Sequence, residues 1–100
     1  MRRFYKTLRR LNDKLCPEYP VYVYFTTSKI LPKCYGDCSF TGKSFSIRIV
    51  NTSWDTSLFV LLHEFGHVLS WFDKECEDDW HGEKFGIAYS KVWKVYSGEA

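Results

Sequence analysis

Residues 54–72 are the segment that most restricts how this chain can fold. Apolar side chains recur there every three or four residues, which predicts a helix with one apolar stripe: Leu58, Leu62, Phe65, Leu69 and Phe72. Three further apolar residues widen the stripe: Val60, Leu61 and Val68. We therefore expect a central, buried helix. Asn51 or Ser53 is a suitable N-cap, and Asp55 suits the first turn because of the helix dipole.

Two more helices are predicted. Residues 2–15 place apolar side chains at helical spacing with basic residues on the other side, and Pro17 and Pro20 end this helix. Residues 73–79 are an acidic loop, and residues 82–97 form a last helix. Its inner face is expected to contain Phe85, Tyr89, Val92, Trp93 and Tyr96.

Strand signals lie between the first two helices. Residues 20–27 are β-branched and aromatic, and residues 44–50 alternate apolar and polar, as in a half-buried strand. Residues 33–40 are a weaker strand with a turn or bulge at 36–37, and residues 40–44 are a hairpin turn. This order predicts an α+β domain in which a small three-stranded sheet lies beside the central helix.

Size and composition suggest one domain, residues 1–100. No apolar run approaches the ~18 residues of a membrane span, and no apolar signal-peptide region follows the basic N-terminus, so we expect a cytoplasmic protein. In that reducing compartment four cysteines are expected to be free thiols: Cys16, Cys34, Cys38 and Cys76. The alternatives are a disulfide or a second metal clip at Cys34 and Cys38.

Charge is distributed unevenly along the chain. Residues 1–15 contain six basic side chains and one acidic one, whereas the remaining residues contain eight basic and eleven acidic ones. The basic helix could contact the phosphates of nucleic acid or an acidic protein. The alternative explanation is a solvated helix face, which is what most charge runs are.

Two histidines and a glutamate lie within the central helix as His63-Glu64-Phe65-Gly66-His67. Positions i and i+4 are about 40° apart around a helix, so both imidazoles face one way and can bind one zinc ion. Glu64 projects to the side and can act as general base on a zinc-bound water. The alternative, two structural histidines, would require both rings to be hydrogen-bonded in an apolar environment.

Catalytic zinc sites usually have three protein ligands and one open position. His81 is the remaining histidine of the chain, and it precedes the last helix, so we predict it as the third ligand. An exposed loop histidine is the competing explanation, and Glu83 is a rival ligand. Five acidic residues are weaker rivals: Asp73, Glu75, Glu77, Asp78 and Asp79.

With His63-Glu64-x-x-His67 followed by His81-Gly82-x-x-Phe85, the chain resembles the SprT-like (Spartan-like) metalloprotease family over about residues 34–97. Trp54-Asp55 and the segment 86–89 are similar to small stand-alone versions from bacteriophages. The resemblance implies a minimal zincin-like fold and zinc-dependent peptide hydrolysis of a protein or peptide substrate. Family members that cut DNA-crosslinked proteins carry additional DNA-binding modules, so the DNA-linked substrate is not transferred.

Other residues around the motif raise further expectations. Gly66 costs helix stability, which a close approach of another element beside His67 would explain. The alternative is a neutral choice of glycine at a tight core contact. If strand 44–50 lies at a sheet edge, a substrate peptide could add to it as a further strand. Tyr89 is a candidate for stabilising the oxyanion. Three tryptophans are candidates for lining a substrate cleft: Trp54, Trp71 and Trp80.

Two other functions remain open. A non-catalytic zinc-containing binding module would use the basic helix 2–15 to bind nucleic acid or protein. A protease restricted to a single partner would leave general substrates uncut. The sequence does not decide the oligomeric state.

Overall fold

The computed structural model describes residues 2–73 and 81–98 and shows a small α+β fold in them. The elements in chain order are α1 (Arg2–Leu15), β1 (Val21–Thr26), β2 (Gly36–Phe40), β3 (Phe45–Val50), α2 (Trp54–Ser70) and α3 (Glu83–Ser97). This order confirms the predicted arrangement of one helix, three strands and two further helices. Most of the predicted acidic loop, residues 74–79, lies outside the described residues.

The three strands form one sheet in the order β1-β3-β2. Strand β1 runs parallel to β3, and β2 pairs with β3 in the antiparallel direction. The predicted hairpin turn joins β2 to β3, closed by the Thr41 amide, which donates to the Ser44 carbonyl at 2.9 Å. Gly42 lies in that turn with φ of +94°, a conformation that side chains disfavour.

Two expectations about the sheet are wrong. Gly36 and Asp37 do not form a turn or bulge; they are the first residues of β2 and pair with Ile49 and Arg48 of β3. Strand β3 is not an edge strand, because it pairs with β1 on one side and β2 on the other. A peptide therefore cannot add to residues 44–50, and the free edges of the sheet belong to β1 and β2.

Helix α2 is the central element, since it packs on β2 and β3 on one side and on α3 on the other. The Ser53 hydroxyl caps it by accepting the Thr56 amide. Leu58, Leu62 and Phe65 of the predicted stripe are buried. Phe72, by contrast, lies beyond the end of α2 and is exposed.

Helix α1 is held against α3. Arg10 Nε donates to the Val95 carbonyl at 3.0 Å, and the Arg3 guanidinium donates to the Tyr96 hydroxyl. The predicted inner face of α3 is confirmed: Phe85 and Val92 are buried, and its other aromatic residues are half-buried. Within residues 2–73 and 81–98 no helix has the length and apolarity needed to span a membrane.

Candidate metal centre

The first two histidines of the predicted site lie on one side of α2. Burial of Leu61, Leu62 and Phe65 fixes how this helix is rotated against the core. With α2 held in that orientation, His63 and His67 project one helical turn apart, and their ring centroids are 5.0 Å apart. His67 is only 8% exposed, whereas His63 is partly accessible.

His81, located just before α3, meets these two rings. Its ring centroid lies 5.2 Å from that of His63 and 4.8 Å from that of His67. One potential ligand atom from each of the three histidines lies within 4.8 Å of the others. The structure therefore brings together all three predicted ligands, from two separate helical regions.

Among the residues that the structure describes, no rival ligand takes part in this cluster. In residues 2–73 and 81–98 the three histidines are the one group of His, Cys, Asp or Glu close enough to hold a metal ion. Glu83 is exposed in the first turn of α3, and Asp73 lines a different surface groove beside Leu15 and Lys84. The other acidic rivals are outside the described residues: Glu75, Glu77, Asp78 and Asp79.

The donor set fits a transition-metal ion. His81 Nε2 lies 3.2 Å from His63 Nε2, which in the metal-free protein is the distance of a hydrogen bond between the rings. Tetrahedral zinc with Zn–N bonds of about 2.0–2.1 Å separates its ligand nitrogens by about 3.3 Å. An ion can therefore replace that hydrogen bond with little rearrangement of these two rings, and a third imidazole completes a three-nitrogen set.

Burial also prepares the α2 histidines for ligation. Burial, and secondarily the charges of His63 and His81, lower the pKa of His67 to about 4. Burial and the charge of His81 lower the pKa of His63 as well. Both α2 imidazoles are therefore neutral at pH 7, the form that binds a metal, so an ion does not have to displace protons from them.

Glu64 lines the same cleft as the three histidines and is 6% exposed. Burial, and secondarily the charge of Asp37, raise the pKa of the Glu64 carboxyl to about 7. The Asp37 carboxylate itself is paired with Arg48, whose Nε donates to Oδ1 at 2.9 Å. In the metal-free protein Glu64 can therefore both take up and release a proton near neutral pH.

The expectation for Gly66 is confirmed by close packing of α3 on α2. A Cβ atom at Gly66 would lie 2.9 Å from Cε1 of Phe85 and 3.4 Å from Cδ1 of Tyr89. The Phe85 ring in turn packs 4.5 Å from the ring of His67. The missing side chain thus lets α3 approach closely enough to support the histidine rings.

An open cleft of ≈ 810 Å³ surrounds these groups. The start of β2 forms one wall, and Gly36 makes it possible, since a Cβ there would lie 2.5 Å from Val60 of α2. The sequence does not predict this wall of the cleft, because Gly36 and Asp37 favour a turn or bulge. Tyr89 and Trp71 line the cleft as expected. Trp54 packs instead 5.9 Å from Phe4, centroid to centroid, and Trp80 lies outside the described residues.

Three of the four cysteines are free thiols: Cys16, Cys34 and Cys38. Cys34 and Cys38 line the cleft. Burial, followed by the charges of Glu64 and Asp37, raises the pKa of the Cys38 thiol to about 12. Cys38 therefore stays protonated at neutral pH, and it does not belong to the metal-ligating group of the described residues. Cys76 lies outside the described residues.

No protein-family model matches this chain, and no curated protein matches it.

Proposed function

We propose that this protein is a zinc-dependent metallopeptidase of the SprT-like type, with His63, His67 and His81 as metal ligands and Glu64 as general base. The observation that carries the proposal is that three imidazoles and a buried carboxyl meet in one open cleft. A purely structural zinc site is normally closed by four protein ligands and has no use for an adjacent carboxyl. A three-ligand site with a neighbouring base suits hydrolysis.

Zinc is proposed because imidazole nitrogens suit it and because three protein ligands leave it an open position. Manganese, iron and cobalt also accept imidazole ligands. Elemental analysis of protein purified without added metal would identify the ion. One zinc per chain is expected in the wild type, and a large loss is expected in His67→Ala.

The metal, Glu64 and Tyr89 each have a distinct part in the proposed peptide hydrolysis. Zinc, when bound, supplies a Lewis acid that polarises a carbonyl and lowers the pKa of a water molecule. Glu64 accepts the proton of the attacking water and then donates it to the leaving amine. Tyr89 lines the cleft with its ring centroid 5.8 Å from that of His63, and we propose its hydroxyl as the hydrogen-bond donor to the developing oxyanion.

Cleavage of casein or a denatured protein by zinc-loaded protein tests this function. The wild type is expected to cut, and Glu64→Gln is expected to bind zinc but cut about 10²–10⁴-fold more slowly, because it lacks the base. Glu18→Gln is the control, since it changes an exposed carboxyl away from the cleft. Equal rates for Glu64→Gln and wild type would contradict the role of Glu64.

A binding module is the competing function, and one observation favours it. Helix α3 packs against α1, and both carry exposed basic residues: Lys6, Arg9, Lys14, Lys84, Lys91 and Lys94. Arg3 and Arg10 are already engaged by α3, which reduces the charge available to a ligand. If wild type and Glu64→Gln both bind zinc and DNA but cut nothing, the binding module replaces the peptidase.

A further inference from the structure

We propose that the cleft selects peptide segments with a large apolar or aromatic side chain next to the bond that is cut, held between Phe59 and Tyr35. This inference rests on the proposed peptidase function, because it assigns the substrate class of the same cleft. It adds two residues that the metal chemistry does not use. It also predicts that an acidic side chain at that position is disfavoured.

Phe59 forms the α2 side of this subsite. It lies four residues before His63, so both side chains project from the same side of α2, and both line the cleft. The Phe59 side chain is 54% exposed, so it offers apolar surface to a ligand in the cleft. The Trp93 ring, 6.0 Å away and tilted by 32°, supports it from α3.

Tyr35 forms the opposite side. It directly precedes β2, is 64% exposed and also lines the cleft. Its backbone is fixed because the Val50 amide donates to the Tyr35 carbonyl at 2.8 Å. The next residue, Gly36, brings the chain close to Val60 of α2. The two exposed aromatic residues are therefore carried by walls that approach each other closely.

The charge of the cleft agrees with an apolar occupant. Asp37 and Glu64 are the carboxyl groups of the described lining, and none of the described lining residues is Lys or Arg. Arg48 pairs with Asp37 and so offsets its charge. Away from the proposed zinc ion, an acidic substrate side chain between Phe59 and Tyr35 would meet no Lys or Arg of the described lining. An apolar side chain there would exclude water from the two aromatic rings.

Peptide binding to zinc-loaded Glu64→Gln tests the selectivity without relying on turnover. Three fluorescent peptides differ at one position, Phe, Ala or Glu, and anisotropy gives each Kd. We expect the Phe peptide to bind about 10- to 100-fold more tightly than the Ala peptide, the range that apolar pocket contacts supply. The Glu peptide is expected to bind most weakly.

Phe59→Ala, added to Glu64→Gln, is expected to remove the preference for Phe. Phe72→Ala is the matched control, because Phe72 is 56% exposed and does not line the cleft. Phe59→Leu, which keeps an apolar side chain, is expected to retain part of the preference and guards against misfolding of the alanine variant. Circular dichroism checks the fold of each variant.

The outcomes separate this inference from the proposed function. Phe preference that depends on Phe59 supports the inference. If the wild type nevertheless cuts nothing, the peptidase function fails, and Phe59 and Tyr35 then form an apolar peptide-binding site with no bond to cut beside it. Cutting by wild type without any preference among the three peptides overturns the inference and leaves the function intact. Absence of preference in binding, or its persistence in Phe59→Ala, also overturns the inference.

Discussion

Replacing Glu64 by Gln should change how the stability of the metal-free protein depends on pH. Burial raises the pKa of this carboxyl from 4.5 to about 7, so between these values the folded state holds the proton more tightly than the unfolded state does. The contribution of Glu64 to stability is therefore fully present below pH 4.5 and is lost as pH rises towards 7. Gln does not ionise, so Glu64→Gln does not undergo this loss of stability as pH rises.

The size of the effect follows from the shift of the pKa. One pKa unit corresponds to about 1.4 kcal/mol, and part of the difference is already lost at pH 5 because the unfolded carboxyl is ionising there. The stability of Glu64→Gln minus that of wild type should consequently increase by roughly 2 kcal/mol between pH 5 and pH 8. Titration of His63 and His67 affects both proteins and cancels in this difference to first order.

Urea unfolding followed by tryptophan fluorescence, in chelator and at pH 5, 6, 7 and 8, measures this difference. Chelator is needed because a bound cation would itself favour the ionised carboxylate. Glu18→Gln is the control with an exposed carboxyl and should show a flat difference. A flat difference for Glu64→Gln as well would refute the reasoning, since it would mean that Glu64 ionises as easily in the folded chain as in the unfolded one.

Three further predictions concern the metal, the helix contact and the buried thiol. Saturating zinc at about 100 times its Kd should stabilise the fold by about 2.7 kcal/mol and raise the Tm by roughly 10–20 °C, and His81→Ala should lose most of that shift in a thermal scan. Gly66→Ala should destabilise the fold by about 1–3 kcal/mol, because its Cβ meets an aromatic ring of α3 at 2.9 Å. Gly86→Ala, an exposed helix position where nothing lies within 4 Å of the added Cβ, should be neutral or stabilising in the same urea experiment. Iodoacetamide at pH 8 should modify the exposed thiol of Cys16 while the thiol of Cys38, with its pKa raised to about 12, remains unmodified. Mass spectrometry of the labelled protein measures both, and equal labelling of the two cysteines would contradict the burial of Cys38.

The helices could be predicted because their periodicity is local. The helix predicted at residues 54–72 is α2, Trp54–Ser70, in the structure, and the helix predicted at residues 82–97 is α3, Glu83–Ser97. The grouping of the histidines could also be anticipated, since the i, i+4 spacing of His63 and His67 is set by the helix itself. His81 required an additional assumption, that every histidine of the chain serves one site, and the packing of α3 brings it to the other two rings.

The sheet could not be predicted to the same degree. Strand β2 begins Gly36-Asp37-Cys38, which has neither β-branched residues nor clear alternation, so its pairing with β3 left little trace in the sequence. The central position of β3 in the sheet could not be predicted from the sequence for another reason. Alternating burial reports which face of a strand is covered, whereas its edges pair through backbone atoms that every residue has. The close approach of Gly36 to Val60 depends on tertiary packing alone.

The packing of α3 on α2 couples the stability of the fold to the metal site. Helix geometry alone arranges His63 and His67, but His81 reaches them only when α3 packs on α2. Phe85 of α3 packs at Gly66 in this interface, beside the ring of His67. A substitution that separates the helices should therefore weaken metal binding without touching a ligand. Conversely, bound metal joins α2 to the start of α3 and should stabilise their packing by the same free energy, because the linkage is reciprocal. Gly66→Ala should thus lower zinc affinity as well as stability, whereas Gly86→Ala should leave zinc affinity unchanged. Unchanged zinc affinity in a destabilised Gly66→Ala would show that His81 is held in place independently of this contact.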